Sequence, residues 1–373
     1  MPSHQRHQLS TGEKVKLYLS LGCLVLQCLI TFLIKLIPRL FVGWSPSSIF
    51  AVAYMRSVAW ISFKQSRAIA LPTGQRIMAF CQSAGLACRS VNINNGDNGP
   101  QATLHYIHVS DCPKARLLLY FHGGAYVHPI STKGQLPFGL ECARAAGASD
   151  LVCLEYTLAP ELKYPGQLVQ AVDALDYILS THHPSQIILG GDSAGGHLVL
   201  SLLAHIQRPN PSVKTLSGFG ISGRNILGAY VISPWVSMKY NSKSFKTNAS
   251  RDFIRAKAMV AYTEMWNPNC SEVCGELLTG GVEFWRNVPV DNLLITAGGW
   301  ECFLVDILVM ASHLQAKEFG TGAAVELSVG EKEVHVQCAL DKAVGAPHRQ
   351  GTHNILSWLI RIAGVEVTKP EGV

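Results

Sequence analysis

The 373-residue chain is predicted to be an α/β protein built on one mostly parallel sheet with helices on both faces, and three observations predict it. Short apolar runs almost free of charge recur along the chain, as strands buried on both sheet faces require. Stretches with helical spacing separate several of them, and strand–helix–strand alternation favours parallel pairing. A Gly-Asp-Ser-Ala-Gly turn stands between one such run and one such helix. The composition, 48% hydrophobic and 15% charged, excludes a disordered tail, a coiled coil and a collagen-like fibre. A net charge of +6 with no dense Lys/Arg block gives nucleic acid no evident footprint.

The first element is an apolar helix. Leu17 to Ile34 is uncharged, preceded by Arg6, Lys14 and Lys16 and followed by Lys35 and Arg39. We read residues 1–43 as a leader whose helix, about 17–38, attaches the protein to a membrane. At 1.5 Å per residue, 18 apolar residues only just span a ~30 Å hydrocarbon core. Ser20, Gln27, Thr31, Lys35 and Arg39 form a thin polar stripe, so a helix lying in the interface or packed on the body also fits. Cleavage as a signal lacks a clear site. Asn248-Ala-Ser and Asn269-Cys-Ser are glycosylation sequons, which point to a luminal body attached to the endoplasmic reticulum.

Residues 44–373 read as one domain. Helices are expected over 46–87 with a break at Leu71-Pro-Thr-Gly74. Strands are expected at 103–109, 115–121, 152–156, 186–189, 228–233, 292–296 and 323–327. Helices are expected at 168–179, 194–206, 305–319 and 353–362. The stretch from Trp235 to Asp291 shows no strand and reads as a helical insertion. Together, about 44–95 and 239–290 are expected to cap the carboxyl ends of the strands, where open α/β sheets place their sites. The eleven cysteines show no zinc-like spacing and read as small apolar residues.

The strongest chemical signal is Gly191-Asp192-Ser193-Ala194-Gly195, after a strand and before a helix. In that context the turn lifts the Ser193 hydroxyl above the sheet edge, and the Ala194 N–H faces a developing oxyanion. His122-Gly123-Gly124-Ala125-Tyr126 follows another strand, and Gly123 and Gly124 are the further oxyanion donors expected. His122 is expected to orient this loop, with Asp192 supporting it. A serine nucleophile needs a base and the base a carboxylate. His335, in a polar loop after a strand, is the expected base, with His353 the alternative; His197 and His313 read as packing or surface residues. Glu301, in the loop leaving the strand 292–296, is the expected acid, and Asp306 a residue that caps or braces that loop. The order Ser193, Glu301, His335 suits strand-end serine hydrolases. The sequence carries no HExxH and no P-loop, and this chemistry calls for no metal or cofactor.

Through His122–Tyr126, Tyr156-Thr-Leu-Ala-Pro-Glu161 and Gly191–Gly196 the chain resembles the hormone-sensitive-lipase-like branch of the α/β-hydrolases. Ser233-Pro-Trp235, Ala297-Gly-Gly-Trp-Glu301 and the apolar leader make it similar, more narrowly, to fungal esterases related to membrane-anchored steryl acetyl hydrolases. The resemblance covers about residues 50–362. It implies an eight-stranded, mostly parallel sheet with a helical cap, a Ser193–His335–Glu301 triad, and hydrolysis of short acyl esters, acetyl above all. Three departures stand out: Ala125 where a third glycine is usual, Glu301 where aspartate is commoner, and Val336-Gln337 where Gly-Phe is usual after the histidine. The expected substrate is an ester of a large apolar alcohol such as a sterol or fungal secondary metabolite. Acyl transfer or a rearrangement on the same fold, and a non-catalytic binding protein, are the alternatives.

Overall fold

Helix formation at the amino terminus begins where the sequence offers a cap. The computed structural model describes residues 9–58, 61–93, 100–111, 116–216, 219 and 225–364. Arg6, Cys112 and Ala115, and the ends of the leader, cap and domain at 1–8, 94–95 and 365–373, lie outside them. Ser10 and Glu13 form a reciprocal capping box that starts α1 (Thr11–Leu40). Ser45 caps α2 (Pro46–Ser57), whose proline occupies the first turn, where its missing N–H costs nothing. Next come α3 (Phe63–Ile69) and α4 (Thr73–Ala84), then strands β1 (Cys88–Ile93), β2 (Ala102–His108) and β3 (Leu117–Phe121). Helix α5 (Gln135–Ala145), β4 (Asp150–Glu155), α6 (Gly166–Leu179), β5 (Ile187–Asp192), α7 (Ala194–Gln207) and β6 (Gly228–Ile232) then alternate. The insertion holds α8 (Lys243–Thr247), α9 (Ala256–Trp266) and α10 (Gly281–Trp285). The chain closes with β7 (Leu293–Gly298), α11 (Leu304–His313), β8 (Lys317–Glu318), β9 (Val325–Gly330), α12 (Gln337–Ala343) and α13 (Gln350–Ala363).

The strands form one sheet in the order β1-β2-β4-β3-β5-β6-β7-β9-β8. Pairing is antiparallel at β1–β2 and β2–β4 and parallel from β4 onward. Every residue of β3, β5, β6 and β7 is buried, which explains why Asp192 is the one charged residue among them. One face packs through Phe121, Leu189, Leu198 and Trp235, the other through Tyr120, Ile188, Tyr230 and Trp358.

Among the described residues the sheet has nine strands rather than the eight that the resemblance implies. One unexpected strand is β1, assigned to the cap in the sequence; its side chains are mostly exposed or half-buried, so no apolar run announces it. The other is the two-residue β8. It lies within the helix expected at 305–319, which ends at His313; Gln315, at φ 54°, then turns the chain back.

Helix α1 lies along the body. Its polar stripe faces inward: Thr31 and Arg39 are buried with Leu17, Leu24 and Cys28, and Ser20, Gln27 and Lys35 are half-buried. Glu13 near its start meets Lys64 of α3 at 2.5 Å. The opposite face exposes Tyr18, Leu19, Val25, Leu26, Leu29, Ile30, Leu33 and Ile37. By length and composition α1 is sufficient to cross a membrane.

Candidate active site

The β5–α7 turn shows why its sequence is so small. Ser193 sits at φ 52°, ψ −116°, a strained elbow. A Cβ on Gly195 would lie 1.9 Å from the Phe121 carbonyl oxygen, and one on Gly191 would lie 2.4 Å from that of Gly195. Side chains at these two positions would force α7 away from β3 and flatten the elbow.

The turn holds Ser193 Oγ toward His335 in the loop that follows β9. His335 Nε2 is 2.9 Å from Ser193 Oγ, and His335 Nδ1 is 3.0 Å from Glu301 Oε2. Glu301 is fully buried, and its Oε1 accepts the Gly298 N–H at 3.0 Å. Phe303 and Phe253 stand edge-on to the imidazole, their ring centroids 5.0 and 5.6 Å away. The structure thus brings together Ser193, Glu301 and His335, which are far apart in the chain. Such a relay can move the serine proton to the imidazole while the carboxylate fixes the tautomer. His353 lies exposed on α13, outside this site.

The His122–Tyr126 loop differs from its sequence reading at one donor. The Gly123 N–H donates to Asp192 Oδ1 at 2.9 Å and is therefore occupied. Among the described residues the Gly124 and Ala125 N–H groups meet no acceptor, and the Ala194 N–H opens α7, where no intrahelical acceptor exists. Ala125, at φ 54°, is a candidate donor that the sequence reading did not include. Gly124 has φ 123°, and a Cβ there would lie 2.6 Å from the His128 carbonyl oxygen, so the position demands glycine.

Asp192 and His122 hold this loop. Besides Gly123, Asp192 accepts the Tyr120 hydroxyl and the Gln135 side-chain amide. His122 Nδ1 lies 2.7 Å from the Gly123 carbonyl oxygen, and the ring stacks on Tyr156, which donates to the His122 carbonyl oxygen. Burial pushes the His122 imidazole below its ordinary range. His197 is buried, bonded to Tyr126 and driven down to about 3 by desolvation, as a packed neutral imidazole is. His313 closes α11, and Asp306, pushed up to about 6 chiefly by burial, accepts from Ser242.

Asp252 and Asn248 were not legible as site residues, yet both reach the loops of the base and acid. Asp252 Oδ1 accepts the His335 N–H at 3.3 Å and Oδ2 the Cys302 N–H at 2.8 Å. Burial raises this carboxyl to about 6, against the lowering effects of His335 and the Cys302 N–H. Asn248 donates to the Glu301 carbonyl oxygen at 2.9 Å. It is 3% exposed, which corrects its reading as a glycan acceptor: the amide nitrogen is committed inside the fold. Asn269 is exposed. No group of three metal-ligating side chains occurs among the described residues.

The matched family model, described as the alpha/beta hydrolase fold, covers residues 118–339. Esterase LipU of Mycobacterium tuberculosis is 28% identical over 229 residues, 59% of this chain and 69% of that one. Steryl acetyl hydrolase 1 of Saccharomyces cerevisiae is 28% identical over 96 residues, 25% of this chain and 22% of that one. The chain spans about half the length of other curated relatives it matches, 42% and 54%. Among solved structures, an esterase from the bacterial hormone-sensitive lipase family superposes with a TM-score of 0.63 at 22% identity, covering 86% of this chain and all of that one. The elbow at Ser193, the sheet order and a family match across more than half of its length agree: this chain belongs to the α/β-hydrolase family.

Proposed function

We propose that the protein is a serine esterase that removes a short acyl group, acetyl above all, from a large apolar alcohol. The observation that carries the reading is the imidazole of His335 held between Ser193 Oγ at 2.9 Å and Glu301 Oε2 at 3.0 Å. In the proposed cycle His335 takes the hydroxyl proton as Ser193 attacks the ester carbonyl. Gly124, Ala125 and Ala194 donate to the oxyanion, a contribution of about 3–4 kcal/mol per donor in serine hydrolases. His335 then protonates the departing alcohol, and a water attacks the acyl-enzyme by the reverse relay.

The short acyl group is favoured by the Phe253 and Phe303 rings that stand edge-on to the imidazole and by the steryl acetyl hydrolase among the relatives. An apolar alcohol is favoured by the leader. Because Glu13 meets Lys64 while Arg39 reaches Arg251, both ends of α1 rest on the body, and its apolar face suits lying in a membrane surface better than spanning one. We place the body, with its exposed Asn269 sequon, on the luminal side of the endoplasmic reticulum. The described residues of 44–87, short of β1, and 239–290 then form the cap over the strand ends.

The test is hydrolysis of p-nitrophenyl esters from acetate to decanoate, and of steryl acetates in lipid vesicles, by the intact chain. The reading expects the highest kcat/KM at two to four carbons and turnover of the vesicle-borne esters. A maximum at long acyl chains, or transfer of the acyl group to an added alcohol in preference to water, contradicts it.

A further inference from the structure

The leader is tied to the reaction centre by a continuous set of hydrogen bonds. Three cations, two from α1 and one from α2, meet four successive carbonyl groups in the turn after α8. Lys35 donates to the Ser250 oxygen, Arg39 to the Arg251 oxygen, and Arg56 to the oxygens of Ala249, at 3.0 Å, and Asp252. On the inner side of that turn, Asn248 and Asp252 send their side chains to the loops of the acid and the base. Asn248 Nδ2 holds the Glu301 and Gly299 carbonyl oxygens, while Asp252 takes the N–H groups of Cys302 and His335. Phe253, the next residue, stands edge-on to the His335 ring.

A second tie runs parallel to the first. Trp44, between α1 and α2, donates from Nε1 to the Lys332 carbonyl oxygen at 3.2 Å and stacks on Trp300, which precedes the acid. The Arg39 guanidinium lies 4.0 Å from the Trp44 ring centroid and is 4% exposed. These contacts cross from the α1–α2 hairpin to the two loops that place Glu301 and His335. A base displaced by even ~1 Å loses its productive hydrogen bond to the nucleophile, so such support bears on rate.

Resting on the esterase reading above, we propose that the α1–α2 hairpin is a positioning element of the active site as well as an attachment device, with Arg56 and Asp252 setting His335 against Ser193. Neither residue touches the reacting atoms; each acts through the 249–252 turn and the two loops. The α1–α2 hairpin therefore belongs to the catalytic unit.

The experiment is a double-mutant comparison in the full chain, read as kcat and KM on a short-chain ester with melting temperature as a control. Arg56→Met and Asp252→Asn are each expected to lower kcat about ten- to a hundredfold with KM within about twofold. In a His335→Ala background the same substitutions are expected to change the residual rate less than twofold, because the base through which they act is gone. Arg56→Lys, which keeps one donor for two carbonyls, is expected to lose three- to tenfold and covers the case in which Arg56→Met does not fold. Equal losses in both backgrounds would assign these residues to general stability and overturn the proposal. Full activity in Arg56→Lys and Asp252→Asn would overturn it too, leaving the esterase reading intact. A wild-type chain without ester turnover would remove both.

Discussion

The N–H of Gly123 donates to the carboxylate of Asp192 at 2.9 Å, so the residue just before the nucleophile fixes the loop that faces it. Asp192 also takes the Tyr120 hydroxyl and the Gln135 amide, which leaves its charge fully hydrogen-bonded inside the fold. Asp192→Asn is expected to lower kcat about ten- to a hundredfold while the protein stays folded, because one of the three donors then faces an amide NH2. Steady-state kinetics with circular dichroism on the same sample checks this. Tyr120→Phe removes one donor and is expected to cost less than fivefold.

Glu301→Gln keeps the size of the acid and removes its charge. The imidazole tautomer is then no longer held by the 3.0 Å contact to Nδ1, and kcat is expected to fall about 10²- to 10⁴-fold with little change in KM. Initial rates on a p-nitrophenyl acetate series measure both parameters. Glu301→Asp shortens the reach and is expected to fall between the two.

Glu333 supplies the pH test of stability. Burial, opposed by the Gly351 N–H and the Arg349 charge, pushes its carboxyl up to about 7. A carboxyl raised in the folded state binds protons more tightly there than in the unfolded chain, so its cost grows as pH rises from about 4.5 to 7. At about 1.4 kcal/mol per pH unit the cost at pH 8 is on the order of 3 kcal/mol. Glu333→Gln is expected to raise the melting temperature at pH 8 and to lose most of that gain at pH 4.5. Thermal melts of both proteins at the two pH values decide it, and a gain independent of pH would contradict it.

The sequons separate cleanly. Expressed through a secretory pathway, the chain is expected to carry at most one N-linked glycan, at Asn269, and Asn269→Gln is expected to abolish the mass shift. Asn248→Gln is expected to leave glycosylation unchanged and to destabilise the protein by about 1–3 kcal/mol, since a longer amide cannot keep both carbonyl contacts in a packed site. Intact mass before and after endoglycosidase treatment, with thermal melts, reads both.

The central parallel strands and the elbow were legible because their causes are local. A short apolar run such as Leu117–Phe121, too brief for a typical helix, fits a buried strand, and the small residues of Gly-Asp-Ser-Ala-Gly mark the turn after one. Strand β1 was missed because Cys88–Ile93 is an edge strand facing water, with no hydrophobic run to mark it. Gly123 was misread as a free donor because its partner, Asp192, lies 69 residues away and meets it only when β3 and β5 pair. Asp252 and Asn248 were invisible for the same reason: the sequon marks Asn248 as a surface residue, and only the folded turn turns it toward Glu301. Alternation and turn chemistry are written in neighbouring residues; the support around a reacting group is written in pairs separated by a domain's length.

The central claim is that Ser193 is a nucleophile activated by His335 and held ready in the resting protein. Intact-mass and peptide mapping after treatment with a short-chain alkyl fluorophosphonate test it most directly. The account predicts one equivalent of adduct on Ser193, labelling at least a hundredfold slower in His335→Ala, and none in Ser193→Ala. Folded wild-type protein that stays unlabelled, or that carries the adduct on another residue, would contradict it.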